Sequence, residues 1–260
     1  MGVLNANDDS FYKQSHFTNA DALKKINTMI EEGSDIIDIG AVSSRPGSVG
    51  ISEEEELLRL KEIVNLIYTN KLYEKNDFSL DTYSPLCATY ALDRGFKIIN
   101  DITGLADDKV CELVSSHQAQ VIIMHMQGTP QTMQENPHYE DVLTDVESFF
   151  KERIEKARAF GIKDIVLDVG IGFGKSLEHN LQLIKHLSHF QKLHLPLLIG
   201  ASRKSMIDKI IPANPSDRLA GTLALHLKAV EEGASIVRCH DVKEHFQALK
   251  IMEVLDKTTI

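Results

Sequence analysis

Cysteine is scarce in this chain and never paired. Cys87, Cys111 and Cys239 are scattered over 260 residues, with no C-x-x-C spacing and an odd total. That argues against a disulfide framework and fits small buried thiols in a reducing compartment. A long hydrophobic run is missing as well: nowhere do about eighteen apolar residues follow one another, so no segment reads as a membrane-spanning helix. No basic, apolar leader with a cleavage site opens the sequence, and the expected location is the cytoplasm. Basic residues do not dominate. With 28 Lys and Arg against 38 Asp and Glu, the formal charge is -10, whereas a protein whose main partner is a nucleic acid normally carries a basic face. There is no linker rich in Gly, Pro or Ser, no low-complexity tract and no short internal repeat, so residues 1–260 read as a single domain.

The stretch LDVGIGFGKS, Leu167 to Ser176, lacks something more specific. It ends in Gly-Lys-Ser after a short apolar strand, as a nucleotide-binding loop does. The pattern G-x-x-x-x-G-K-[ST] needs a glycine where this chain has Val169. A β-branched residue resists the positive φ angles with which such a loop cradles phosphate. The glycines, and Asp168 before them, need another explanation.

What the chain does have is a regular alternation of short apolar runs with amphipathic helical stretches. The runs are GVLN (2–5), DIIDIG (35–40), FSLDT (78–82), KIIND (97–101), QVIIMHM (120–126), DIVLD (164–168), PLLIGAS (196–202) and SIVRCHD (235–241). Between them apolar residues recur at helical spacing, as in Leu23, Ile26 and Ile30, in Leu57, Leu60, Val64 and Ile67, and in Leu219, Leu223, Leu227 and Val230. Thr18 with Asp21, and Ser52 with Glu55, have capping-box spacing at helix starts. Strands that read as nearly continuous apolar runs between helices pair in parallel and are covered on both faces. Eight such units in about 250 residues match the size and count of a (β/α)₈ TIM barrel; a doubly wound open sheet usually needs fewer strands.

A barrel of this kind builds its active site at the C-terminal ends of its strands. Those ends carry Asn5, Asp38, Asp81, Asn100 with Asp101, His125, Asp168, then Ser202, Arg203 and Lys204, and finally Arg238 and His240. Any one of them reads equally well as a helix cap or a satisfied rim residue. The full set does not, because caps call for Ser, Thr, Asp or Asn and not for Lys, Arg and His. Asp81, Asn100 and Asp168 suit a flat heterocycle with adjacent N–H groups, since a carboxylate accepts two parallel donors. Lys204, Arg238 and His240 gather cations beside the place where such barrels often bind phosphate. The implied substrate has a neutral heterocycle at one end and a phosphate at the other.

These residues lie in an ordered series: GVLNANDDSF, DIIDIG followed by SSRPG, SLDTY, IINDITG, MHMQGTPQTMQ, LDVGIGFGKS, IGASRKS, DRLAGTLA and RCHDV. The series resembles the motifs of the dihydropteroate synthase family, from residue 2 to about 242 and in the family's order. The resemblance implies a (β/α)₈ barrel, usually a homodimer, that joins 4-aminobenzoate to 6-hydroxymethyl-7,8-dihydropterin pyrophosphate in folate biosynthesis. By motif position it implies that Asp81, Asn100, Asp168 and Lys204 hold the pterin, with Met124 and Phe173 near its faces. It further implies that Arg238 and His240 hold the pyrophosphate, that Asn5 assists them and meets a Mg²⁺ ion, that Ser44, Arg45 and Pro46 sit on a mobile second loop, and that Ser202 lies near the aminobenzoate. Catalysis would rest on Asp168, Lys204, Arg238 and His240, with no nucleophilic side chain. Gly-Lys-Ser would then be the start of a helix, Lys175 with Ser176, and not a phosphate site. The apolar face from Leu219 to Val230 is a candidate contributor to a dimer.

The chain departs from the family pattern in its first loop. Residues Asn7 to Ser15 replace a motif with a second aspartate and two glycines, Lys13 standing for that aspartate; Val42 stands where glutamate is usual, and Val169 where proline is. Two other function classes therefore remain. A pterin-binding barrel of a methyltransferase would share the acid and amide array but has no use for the SRK and RCH ends. A barrel that binds the pterin without making product would differ only in turnover. The remaining polar clusters read as solvated surface or local structure. His186, His189 and His194 have no acid or cysteine to complete a metal set. Glu53 to Glu56 suit the first turn of a helix, and Asp38 and Asp101 are expected only to satisfy backbone groups.

Overall fold

The computed structural model describes residues 1–6, 19–42, 47–48 and 50–258. Its eight strands are all parallel and lie side by side in chain order: β1 Gly2–Asn5, β2 Ile36–Gly40, β3 Asp77–Asp81, β4 Ile98–Asp101, β5 Gln120–Met124, β6 Ile165–Asp168, β7 Leu197–Ile199 and β8 Ile236–Val237. The ring closes where Cys239 bridges Gly2, with Val3 N–H donating to Cys239 O at 2.9 Å and Cys239 N–H to Met1 O at 3.0 Å. The fold is the TIM barrel expected from the alternation.

Nine α-helices are present among the described residues: α1 Asn19–Glu31, α2 Glu53–Thr69, α3 Pro85–Leu92, α4 Asp108–Ser116, α5 Val142–Ala159, α6 Leu177–Lys185, α7 Ser205–Ile210, α8 Leu219–Glu231 and α9 Val242–Asp256. Local chemistry sets their starts. Ser52, Ser84, Asp107, Asp141 and Ser176 each accept a backbone N–H from the first turn of the helix they precede, satisfying donors that have no partner within the helix. Ser52 does so with Glu55, as its spacing predicts; Thr18 lies outside the described residues. The acids Glu53 to Glu56 occupy the first turn of α2, where the helix dipole favours them.

Alternation along the strands divides the interior in two. Outward residues such as Leu4, Ile37, Ile39, Phe78, Leu80, Ile99, Val121, Ile123 and Leu167 pack under the helices in one large core. Inward residues Met1, Ile98, Ile122, Val166 and Leu198, flanked by Ile36 and Ile236, fill the barrel floor. Moving two residues toward the C-terminal ends changes the chemistry: Ile36 gives way to Asp38, Ile98 to Asn100, Ile122 to Met124, Val166 to Asp168, Leu198 to Gly200 and Ile236 to Arg238. A polar layer therefore rests on an apolar floor, and Gly200 leaves room beside Arg238.

Candidate active site

At the centre of this layer is Asp38, which is fully buried. Its Oδ2 accepts from Arg238 Nε at 2.7 Å and from Asn100 Nδ2 at 3.1 Å. Arg238 Nη2 reaches Asp81 Oδ2 at 2.9 Å. One guanidinium thus joins acids from β2 and β3, in the fork geometry that only arginine supplies. The expectation that Asp38 only satisfies backbone is corrected: its partners are side chains, because its Cβ points inward at the level of Asn100 and Arg238. Asp101, in contrast, does satisfy backbone, accepting from Thr103 N at 2.7 Å and Leu105 N at 3.0 Å.

The electrostatics follow from burial. Burial pushes the Asp81 carboxyl above its ordinary range, against the pull of Arg238. Burial also raises Asp168, and the Gly170 N–H that donates to its Oδ1 at 2.8 Å opposes the shift. Burial works against the charge of Arg238, but Asp38 and Asp81 outweigh it and keep the guanidinium protonated. Since Nδ2 of Asn100 faces Asp38, its Oδ1 faces away; Asn100 Oδ1, Asp38 Oδ1 and Ser79 Oγ are buried and have no hydrogen-bond partner among the described residues. Such atoms cost about 1–3 kcal/mol each when left unpaired, so the layer is set up to receive donors.

Beside Asp168 the glycine-rich turn packs against the end of β5. Gly170, at φ +66°, and Gly174, at φ +64°, sit so close that a Cβ would fall 2.0 Å from His125 O and 2.4 Å from Gln127 O respectively. No other residue fits there. Lys175 does not begin the next helix. It turns inward, is buried, and its Nζ lies 2.9 Å from His125 Nδ1, 2.9 Å from Phe173 O and 3.1 Å from Gly170 O. Burial lowers its pKa to about 7, and burial first, then the Lys175 charge, lowers His125 to about 2. The helix start belongs to Ser176, which caps α6 reciprocally with His179. Phe173 lies in an apolar cluster with Ile102, Met124 and Met133, and Lys204 Nζ stands 4.2 Å from its ring centroid, a cation–π contact.

The ends of β7 and β8 form the other side. Ser202 Oγ lies 2.9 Å from His240 Nδ1 and accepts from His240 N–H at 3.2 Å. Burial, then the charges of Arg203 and Arg238, bring His240 down to about 4. Expected among the cations, His240 is therefore a neutral hydrogen-bonding group at pH 7. Arg203 is paired to Asp241. Asn5 ends β1 half-buried, level with Gly40 of β2. Ser44, Arg45 and Pro46, and the divergent span Asn7 to Ser15, lie outside the described residues. Among the outlying histidines, His189 does meet an acid, Glu147 at 2.7 Å, but Lys151 and Lys192 pair with the same carboxylate. No cluster of three metal-ligating His, Cys, Asp or Glu side chains occurs among the described residues.

Comparison with known proteins agrees with this geometry. The sequence profile of the pterin binding enzyme family matches residues 1–240. This chain belongs to that family, among the dihydropteroate synthases. It is 46% identical over 258 residues to the bifunctional dihydropteroate synthase/dihydropteroate reductase of Helicobacter pylori, covering 99% of this chain and 68% of that protein. A crystal structure of Yersinia pestis dihydropteroate synthase with a sulfonamide drug complex superposes with TM-score 0.91 at 39% identity, covering 99% of this chain and 94% of that one. The Xanthomonas albilineans dihydropteroate synthase solved with 4-aminobenzoic acid gives TM-score 0.90 at 34% identity, over 100% and 93% of the two chains.

Two side chains of this dihydropteroate synthase site escaped the sequence reading. Asp38 was detectable, since it stands two residues from Ile36 and so shares the inward face with Asn100 and Arg238. Lys175 was not, because nothing local distinguishes an inward lysine from a solvated one.

Proposed function

We propose that the chain condenses 6-hydroxymethyl-7,8-dihydropterin pyrophosphate with 4-aminobenzoate, giving 7,8-dihydropteroate and pyrophosphate in folate biosynthesis. The observation that carries this reading is the acceptor layer: buried Asp168, Asn100 Oδ1 and Asp38 Oδ1, with half-buried Asp81 beside them, ask for a ligand rich in N–H donors, and a reduced pterin edge is one. Relatives solved with 4-aminobenzoic acid and with a sulfonamide drug support the second substrate and sulfonamide binding.

In this reading Asp81, Asn100 and Asp168 hold the pterin ring, Lys204 reaches its edge, and Met124 and Phe173 flank its faces. Breaking the bond to the leaving group generates positive charge on the methylene, which is conjugated with the ring. The Asp168 carboxylate, fixed by Gly170 N–H, stabilises that charge as it develops. A guanidinium has five N–H donors; with one at Nε and one at Nη2 committed to Asp38 and Asp81, Nη1 serves the pyrophosphate. His240 adds a neutral donor; Ser202, which the resemblance puts near the aminobenzoate, is bonded to His240, and we assign it to the pyrophosphate end instead. The aminobenzoate nitrogen attacks the methylene carbon as the bond to pyrophosphate breaks and loses its proton to the departing pyrophosphate or to water, so no enzyme nucleophile is required.

A Mg²⁺ ion fits this arrangement through Asn5, a single hard oxygen donor at the rim, since Mg²⁺ commonly keeps several waters and completes its shell with substrate phosphate oxygens. Such an ion would neutralise charge on the departing pyrophosphate. We place the protein in the cytoplasm, in accord with three buried free thiols, and as a homodimer; exposed Ile210 and Ile211 at the end of α7, and Ile251, Val254 and Leu255 on α9, offer more apolar surface than the face of α8 does.

The test is product formation from both substrates with Mg²⁺. Dihydropteroate that depends on 4-aminobenzoate establishes the synthase. Tight pterin binding with no product would assign the chain to binding alone, through its altered first loop.

A further inference from the structure

The pairing of β7 with β8 is short. It covers Leu198 with Ile236 and Ile199 with Val237, and the last backbone bond runs from Arg238 N–H to Ile199 O at 2.9 Å. Beyond that point the sheet no longer fixes the ends of the two strands relative to each other, yet Ser202 and His240, both beyond it, lie in hydrogen-bond contact. Something other than the sheet must hold them in register.

Two buried histidines do so. Ala201 N–H donates to His226 Nε2 at 2.9 Å, His226 Nδ1 lies 2.9 Å from His245 Nε2, and His245 Nδ1 lies 2.6 Å from Asp241 O. The protons along this line are determined by its ends. A backbone N–H can only donate, so His226 Nε2 carries no proton and Nδ1 does; a carbonyl can only accept, so His245 carries its proton on Nδ1 and accepts at Nε2. Every donor meets an acceptor from Ala201 to Asp241. The relay ties the residue before Ser202 to the residue after His240, and Arg203 pairs with the Asp241 side chain in the same place.

We propose that His226 and His245 are positioning residues that set the Ser202–His240 contact and so the geometry of the pyrophosphate end. This rests on the functional reading above, in which that end takes the leaving group. The relay works only with both imidazoles neutral. A proton added to His226 Nε2 would face the Ala201 N–H, and one added to His245 Nε2 would face the His226 Nδ1–H. Their surroundings oppose such a proton. Both rings are buried. Burial is the main cause that lowers His226 and His245 alike, while the charged and titratable groups facing them are the Met1 amino group just before β1, His240 beyond β8, and Asp241 and Glu244 at the start of α9.

Two measurements test the proposal. The first is ¹⁵N-resolved NMR of the imidazoles in the intact protein from pH 8 to pH 5. The expected result is two neutral Nδ1–H rings with no titration; an Nε2–H tautomer or an ordinary midpoint near 6.5 in either ring overturns the relay. The second is steady-state kinetics of H226L and H226Q. Glutamine can accept from Ala201 with Oε1 and donate to His245 with Nε2; leucine can do neither. H226L is expected to raise KM for dihydropterin pyrophosphate about tenfold and weaken product inhibition by pyrophosphate, with KM for 4-aminobenzoate changed less than twofold, and H226Q is expected to restore both. Equal losses for the two substrates, or no rescue by glutamine, overturn the proposal. H240A separates this from the underlying reading. If H240A leaves the KM for dihydropterin pyrophosphate unaltered, the assignment of that end fails; if H240A raises it while a folded H226L does not, the relay alone fails. Should H226L not fold, H226Q and the NMR tautomers decide.

Discussion

Asp38 and Arg238 are 200 positions apart in the chain, and their side chains meet at 2.7 Å inside the barrel. Asp38 takes Nε while Asp81 takes Nη2, so the guanidinium plane is fixed by two acids on neighbouring strands. The same Asp38 oxygen orients Asn100. One buried carboxylate thereby sets both the Arg238 cation and the Asn100 amide, which the proposed function puts at the leaving-group and ring sides.

Replacing one member of this set is expected to be costly in a specific way. Removing one partner of a buried ion pair costs up to about 3–5 kcal/mol, and Asp81 offsets part of this by keeping its bond to Arg238. D38N should lower unfolding free energy by an amount of that order in urea titrations and reduce kcat/KM for the pterin substrate more than tenfold. A change below about 1 kcal/mol would mean that Asp81 alone holds Arg238.

Arg238→Lys is not a conservative change at this position. A lysine ammonium is a point charge without the planar fork and cannot span both carboxylates. R238K is expected to retain the fold by circular dichroism while losing pyrophosphate-side binding, seen as a rise in KM with little change in KM for 4-aminobenzoate. Wild-type kinetics in R238K would remove the fork from the account.

Lys175 makes a prediction with a sign. Its pKa in the fold is about 7, depressed by burial from 10.5. Between these values the unfolded chain binds the proton and the folded one does not, so this residue makes stability rise as pH increases from about 7 to about 10.5. Below about 7 both forms are protonated and the full penalty applies. K175M should therefore flatten the dependence of Tm on pH between 7.5 and 9.5. It should also loosen the turn around Gly170 and Phe173 and weaken pterin binding. An unchanged slope would show that Lys175 stays charged in the fold.

His226 has the opposite reach along the pH axis. Its pKa falls from 6.5 to about 3 on folding, chiefly through burial. The unfolded chain takes up a proton below 6.5 that the folded one refuses, so stability is complete above 6.5 and is lost progressively as pH falls toward 3. H226Q should melt with a shallower pH dependence between 6 and 4 than the parent chain. Parallel curves would contradict this.

Much of this architecture was legible in the sequence because short, nearly continuous apolar runs alternating with helical stretches mark parallel strands buried on both faces. Ile36 to Asp38, Ile98 to Asn100, Val166 to Asp168 and Ile236 to Arg238 each repeat the same step from floor to polar layer, and the fold and the acid array follow from it. The failures have a common cause. Lys175, His226 and His245 are defined by partners on distant elements: Lys175 looks like the start of a helix until the turn brings His125 beside it, and His226 sits within an apolar helix stripe until His245 of α9 packs against it. His240 was expected as a cation because burial, which makes it neutral, is invisible in a motif.

The central claim is that Asp168 stabilises positive charge on the way to dihydropteroate. The most direct measurement is pyrophosphate release from dihydropterin pyrophosphate with Mg²⁺, with and without 4-aminobenzoate, in the parent chain and in D168N. The account predicts aminobenzoate-dependent dihydropteroate in the parent chain and a loss of at least a hundredfold in D168N, a substitution that keeps the shape and removes the charge. Near-parental turnover in D168N would contradict it.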